Sequence, residues 1–152
     1  MNIYVASRAT LFDVLEELAE PVAVISIYNP DTKPVCVESH PNAKFICYAS
    51  FDDMDDSSYC EWPITNRDPV LFDETHARKI WNFVDSIINE YDQKTIVVQC
   101  DGGVSRSSAV AAALKYVLTG SDRDIFNDPR YIPNSRVYRM MMEAKGFIFI
   151  PQ

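Results

Sequence analysis

Two short stretches of the chain, Val22–Ile27 and Thr95–Gln99, are apolar or β-branched almost throughout. A strand that is apolar on both faces must be covered on both, so these runs belong inside a sheet with helices above and below it. Helical periodicity elsewhere supplies the covers. Leu11, Val14, Leu15 and Leu18 recur at helical spacing behind Thr10, a candidate N-cap, and Pro21 stops that helix. Ala77, Ile80, Trp81, Val84, Ile87, Ile88 and Tyr91 keep the same spacing from about Asp73 to Asp92. A third helix follows the Thr95–Gln99 strand, runs to Thr119 and stops at Gly120; it is apolar nearly all round, which predicts a central position. A last helix spans Asn134–Lys145 and ends at Gly146.

Ile3–Ala6 and Lys44–Ser50 read as further strands, Asn29-Pro30-Asp31 as a turn, and Pro34–Val37 as a short edge segment. Residues 121–132 read as a polar connection. Asp52–Pro69 has no sustained periodicity and is predicted to be a long loop, of the kind that carries function in compact domains. Strands alternating with helices predict an α/β fold, a mostly parallel central sheet flanked by helices, in a single domain spanning residues 1–152.

A chain of 152 residues buries roughly 68–70% of its unfolded surface, so it needs no disulfide or metal to hold it together. No apolar run approaches the ~18 residues of a membrane span, and the first residues lack the basic flank and apolar stretch of a signal peptide. The expectation is a cytoplasmic monomer without membrane contact. The net charge is -8, which argues against a broad nucleic-acid surface but permits a small basic pocket. Much of the excess lies between residues 51 and 73, where Asp52, Asp53, Asp55, Asp56, Glu61, Asp68 and Asp73 face Arg67 alone. Cys36, Cys47, Cys60 and Cys100, with His40 and His76, match no zinc spacing, so no metal is expected.

One cysteine stands apart by its context. The Thr95–Gln99 strand runs directly into Cys100-Asp101-Gly102-Gly103-Val104-Ser105-Arg106-Ser107, and a helix opens near Ser105 or Arg106. Gly102 and Gly103 allow positive φ, so that successive N–H groups face one point. The helix adds the positive end of its dipole there, and Arg106 adds a planar fork that matches two phosphate oxygens. Residues Asp101 to Arg106 thus form a candidate phosphate cradle. A cationic helix N-terminus also favours the thiolate form of a cysteine, which makes Cys100 a candidate nucleophile at the base of that cradle.

The segment resembles the signature of the cysteine-dependent protein tyrosine and dual-specificity phosphatases, His-Cys-x-x-Gly-x-x-Arg-Ser/Thr. Gln99-Cys100-Asp101-Gly102-Gly103-Val104-Ser105-Arg106-Ser107 matches it at the cysteine, the second glycine, the arginine and the hydroxyl residue. Gln99 stands where the family has histidine, which implies lower activity. The order of elements from Val22 to Leu118 is similar to that of compact dual-specificity members. The resemblance implies that Cys100 becomes a phosphocysteine, that Arg106 holds the equatorial oxygens, and that Ser107 stabilises the departing thiolate. It implies an aspartate after an earlier strand as general acid and base: Asp53 by its distance from the Lys44–Ser50 strand, with Asp52 and Asp55 as runners-up. It implies no cofactor, and as partner a phosphorylated protein or other phosphomonoester. Relatives with this loop act on phosphotyrosine, phosphoserine/threonine, phosphoinositide or RNA 5′-phosphate.

Other readings compete. Loss of the histidine suits a phosphate-binding module without turnover, while Ser107 and the acidic loop argue against a rhodanese-like sulfurtransferase. A Walker-type nucleotide loop is excluded by the missing Gly-Lys-Ser/Thr ending. Tyr59, Trp62, Arg67 and Asp68 are either surface packing or part of a substrate mouth. Cys47 and Cys60 are either buried hydrophobes or thiols able to trap an oxidised Cys100. The stretch from Pro129 to Tyr138, mixed basic and aromatic, either touches a phosphorylated partner or, as favoured, docks the last helix.

Overall fold

The computed structural model describes residues 1–56 and 67–148. It has a four-stranded, wholly parallel sheet of β1 (Asn2–Ala6), β2 (Val22–Tyr28), β3 (Ala43–Ser50) and β4 (Thr95–Gln99), in the spatial order β1-β4-β2-β3. The two apolar runs are the two inner strands. Val22–Ile27 and all of β4 are buried, while the outer strands β1 and β3 expose part of their side chains. Parallel pairing leaves each successive strand to be reached by a crossover, and the helices of those crossovers cover both faces.

On one face α1 (Leu11–Leu18) contributes Leu11 and Leu15 to a cluster with Val22, Val24 and Val97. On the other, α2 (Glu74–Asn89), α3 (Arg106–Thr119) and α5 (Ser135–Glu143) pack over Ala23, Ile25, Ile27, Ile96 and Val98. The alternation of β2 and β4 between the two clusters is the period-2 geometry of a strand. The third helix is central as predicted: every residue of α3 from Arg106 to Leu114 is buried. Gly120 ends it with φ +91°. Trp81 of α2 donates its indole N–H to the carbonyl of Met141, which ties α2 to α5 at 2.9 Å.

The structure departs from the sequence reading in three places. Pro34–Val37 is not a strand. Pro34 has no N–H to give a ladder, and Tyr48 instead takes the Val37 N–H (3.1 Å) and donates to the Val35 carbonyl (3.0 Å), before a 3₁₀ turn at Val37–Ser39. The second helix stops at Asn89, because Asp92 adopts φ +52°, and Tyr91 is 58% exposed with its ring against Phe45. The connection after α3 holds a one-turn helix, α4 (Arg123–Phe126).

Candidate active site

In a parallel sheet the carboxyl ends of all strands lie on one side, and the loops there build the site. The turn from β4 to α3 begins as a continuation of the ladder, with the Cys100 N–H donating to the Ala6 carbonyl at 3.3 Å. Arg8 N–H then binds the Asp101 carbonyl at 3.0 Å. Gly103 has φ +67°, and a Cβ on it would lie 2.9 Å from Ser7 N and 3.0 Å from the Ala6 carbonyl carbon. Only glycine fits a position where a left-handed backbone passes so close to another strand. Gly102 departs from expectation: its φ is not positive, and a Cβ there meets nothing closer than Val104 at 4.0 Å.

Curling at Gly103 turns the chain back over Cys100, whose side chain is buried. Gly103 N–H donates to Cys100 Sγ at 3.3 Å, and the Ser107 hydroxyl lies 3.0 Å from the same sulfur. An amide N–H and a hydroxyl thus meet at one sulfur. The outer wall of the loop is braced: Ile132 N–H binds the Val104 carbonyl (3.0 Å), Asn134 N–H binds the Ser105 carbonyl (3.1 Å), and the Ser108 hydroxyl donates to both carbonyls. The segment ahead of α5 therefore supports the loop as well as docking its helix.

Arg106 is 5% exposed. Its Nη1 donates to Asn29 Oδ1 (2.7 Å) and to the Phe51 carbonyl (2.8 Å), while its Nε has no partner among the described residues. An unpaired buried guanidinium N–H costs free energy unless something completes it. One edge of the fork is thus anchored, and the other has the chemistry to take an anion.

The acidic segment resolves into carboxylates with separate tasks. Asp53 Oδ1 accepts from the Ser105 hydroxyl (2.8 Å) and from the Asn134 side-chain amide (3.0 Å), which places it on the loop that holds Cys100. Asp52 is buried and accepts from both terminal nitrogens of Arg67 (2.8 and 3.1 Å) and from Val70 N–H (2.7 Å). Burial pushes the Asp52 carboxyl up, but the Arg67 and Val70 bonds outweigh it and hold the group below the usual carboxylate range. Asp52 is a clasp, and Asp55 is half-buried two residues beyond Asp53. Asp56 pairs with Arg136 (2.6 Å) and Arg139 (2.7 Å) of α5.

Gln99 fills the histidine position with a bond network of its own. Ser26, its cross-strand partner on β2, donates to Gln99 Oε1 at 2.5 Å, and Gln99 Nε2 donates to the Cys100 carbonyl at 3.0 Å. The amide is thereby oriented and locks the peptide that begins the loop. Sequence reasoning missed Ser26, Asn29 and Asn134, which were read only as strand, turn and helix start. The signal available for Ser26 and Asn29 was their place at the carboxyl end of an inner strand, where polar residues serve sites. Arg67 is bound to Asp52 and Asp31, and Asp68 is exposed. Cys47 is buried in the core cluster beneath α2, and burial pushes its thiol up. Tyr59, Cys60 and Trp62 lie outside the described residues. Among the described residues no three His, Cys, Asp or Glu side chains gather as a metal site would, and no helix is long and apolar enough to cross a membrane.

No family model matches the chain, and no curated protein does. Solved structures do. Tk-PTP in its active form superposes with a TM-score of 0.58 at 14% identity, over 97% of this chain and 94% of that one. The PTP-2 phosphatase of Cydia pomonella gives 0.57 at 11%, over 94% and 85%. A human tyrosine phosphatase-like serine/threonine/tyrosine-interacting protein gives 0.56 at 17%, over 95% and 91%. The fold is that of the protein tyrosine and dual-specificity phosphatases, with residues 100–106 joining β4 to α3.

Two variants separate the two glycines. Gly103→Ala strains the loop by about 1–3 kcal/mol or more, whereas Gly102→Ala changes stability by no more than about 0.5 kcal/mol, as read by urea unfolding. Asp52 gives a pH signature. Because its folded carboxyl is depressed, the stability it contributes is present above the ordinary carboxylate range and is lost as pH falls through the folded value. The melting temperature of Asp52→Asn therefore lies furthest below wild type near neutrality, and the gap narrows below about pH 4.

Proposed function

We propose that the chain is a cysteine-dependent phosphatase that hydrolyses phosphomonoesters of the phosphotyrosine and phosphoserine/threonine type. The observation that carries this reading is the buried Arg106, its Nε unpaired among the described residues, on the same loop that brings an amide and a hydroxyl to Cys100 Sγ. A phosphate dianion seated in the loop would complete the Arg106 fork and place phosphorus in line with the sulfur.

In this reading the Cys100 thiolate attacks phosphorus and the P–O ester bond breaks. The leaving oxygen takes a proton from Asp53, which sits on the rim through Ser105 and Asn134. A phosphocysteine results. Asp53, now a carboxylate, takes a proton from water as the water oxygen attacks phosphorus, and the S–P bond breaks to release orthophosphate. Ser107, 3.0 Å from Sγ, steadies the sulfur as it regains its charge. The main-chain groups of Asp101, Gly102, Gly103, Val104 and Ser105 form the cradle.

A second reading, a loop that binds phosphate without turning it over, is favoured by Gln99 alone. The Ser26–Gln99–Cys100 bonds weigh against it, since they supply an oriented donor to the nucleophile's own carbonyl.

Hydrolysis of p-nitrophenyl phosphate in the presence of EDTA tests the two. The phosphatase reading expects Cys100→Ser to lower kcat at least about 10³-fold and Arg106→Ala about 10²- to 10³-fold. It expects Asp53→Asn to cost about 10²-fold, and Asp52→Asn far less. Tight vanadate binding with no hydrolysis at acid, neutral or alkaline pH would establish the silent module instead.

A further inference from the structure

The segment from Asn29 to Lys33, whose Asn29-Pro30-Asp31 reads as a turn in the sequence, gathers three arginines. Asn29 Oδ1 takes Arg106 Nη1 at 2.7 Å, Asp31 pairs with Arg67 at 3.3 Å, and the Lys33 carbonyl takes Arg8 Nη1 at 2.9 Å. Arg8 is also fixed by its main chain, whose N–H binds the Asp101 carbonyl of the cysteine loop at 3.0 Å. Two loops, one after β1 and one after β2, therefore carry cations to the flank of a loop that already holds Arg106.

The charges differ in what they are free to do. Arg67 is committed to Asp52 and Asp31. Arg8 and Lys33 are exposed, and among the described residues neither has a carboxylate within ion-pair distance. The carboxylates on these segments are Asp31, held by Arg67, and the exposed Asp101. In a chain of net charge -8, two exposed cations that lack a carboxylate partner among the described residues, on segments hydrogen-bonded to each other and to the cysteine loop, are an uneven distribution.

We propose that Arg8 and Lys33 form a cationic subsite that takes a second anionic group of a phosphorylated peptide, an acidic side chain or a second phosphate close to the phosphoresidue held by Cys100 and Arg106. The proposal rests on the phosphatase-like reading of the loop. Its scale selects the peptide: two cations on an acidic surface match one or two extra charges, whereas nucleic acid and an anionic bilayer present extended charge that the rest of this surface repels. Exposed ion pairs are individually weak, so the pair sharpens the choice among substrates by about twofold to fivefold per charge and is screened by salt.

Three phosphotyrosine peptides test it, identical except that Glu, Gln or phosphoserine flanks the phosphotyrosine. At low salt the Glu and phosphoserine peptides should each show KM about fivefold below that of the Gln peptide, with kcat nearly the same. Lys33→Glu alone, which leaves the main-chain contact with Arg8 in place, should remove about half of the difference. Arg8→Glu with Lys33→Glu, or about 0.5 M NaCl, should remove nearly all of it. A gain with phosphoserine alone assigns the subsite to a second phosphate; a gain with both assigns it to negative charge in general. Equal KM for all three peptides, or a preference that survives double charge reversal, overturns the proposal. Fluorescence anisotropy of the same peptides on Cys100→Ser reports binding without turnover. A charge preference there with no hydrolysis by wild type would sink the phosphatase reading and keep the subsite, and no preference there would sink the subsite.

Discussion

The close approach of Gly103 to the end of β1 is the contact on which the site depends. β4 lies between β1 and β2, so the turn at its carboxyl end is gripped from both sides. From β1 come the Ala6 carbonyl on Cys100 N–H, the Arg8 N–H on the Asp101 carbonyl, and the Ala6–Ser7 backbone against Gly103. From β2 come Ser26, which orients Gln99, and Asn29, which anchors Arg106. A sulfur, an amide and a hydroxyl converge, and Arg106 is anchored at the start of the following helix, because the turn is pinned between two strands of a buried parallel sheet. Binding groups fixed before a ligand arrives lose nothing to reorganisation when it does.

The acidic balance of the chain is distributed with the same economy. Asp52 closes the segment after β3 through Arg67, and Asp56 fastens it to α5 through Arg136 and Arg139. Asp53 differs from both, because its hydrogen bonds come from a hydroxyl and an amide. Its donors are neutral, where those of Asp52 and Asp56 include guanidinium groups. Three neighbouring aspartates are thus separated by their partners and not by their chemistry.

Much of this was legible before any coordinates. The largely apolar or β-branched runs at Val22–Ile27 and Thr95–Gln99 marked the inner strands, and the all-round apolarity after Arg106 marked the central helix. Cys100, Arg106 and Ser107 were visible because their spacing is local and their strand-to-helix setting has periodic flanks. Asp53 was ranked first on its distance from a strand alone, and its contacts with Ser105 and Asn134 were not legible in the sequence. What stayed hidden was non-local. Asn134, through its main-chain N–H, and Asn29, through its side-chain oxygen, reach the loop from sequence separations of 29 and 77 residues, and nothing in a turn or helix-cap pattern says which partner either will meet. The Pro34–Val37 error had a local cause, the missing N–H of Pro34, and a non-local one, the Tyr48 hydroxyl.

Acid-quenched mass spectrometry during turnover tests the central claim most directly, with Ser107→Ala used to slow release of the sulfur. A phosphoryl group covalently bound to Cys100, formed with substrate and absent in Cys100→Ser, is the result this account predicts. Steady hydrolysis with no adduct on that sulfur, persisting when Cys100 is replaced, would contradict it.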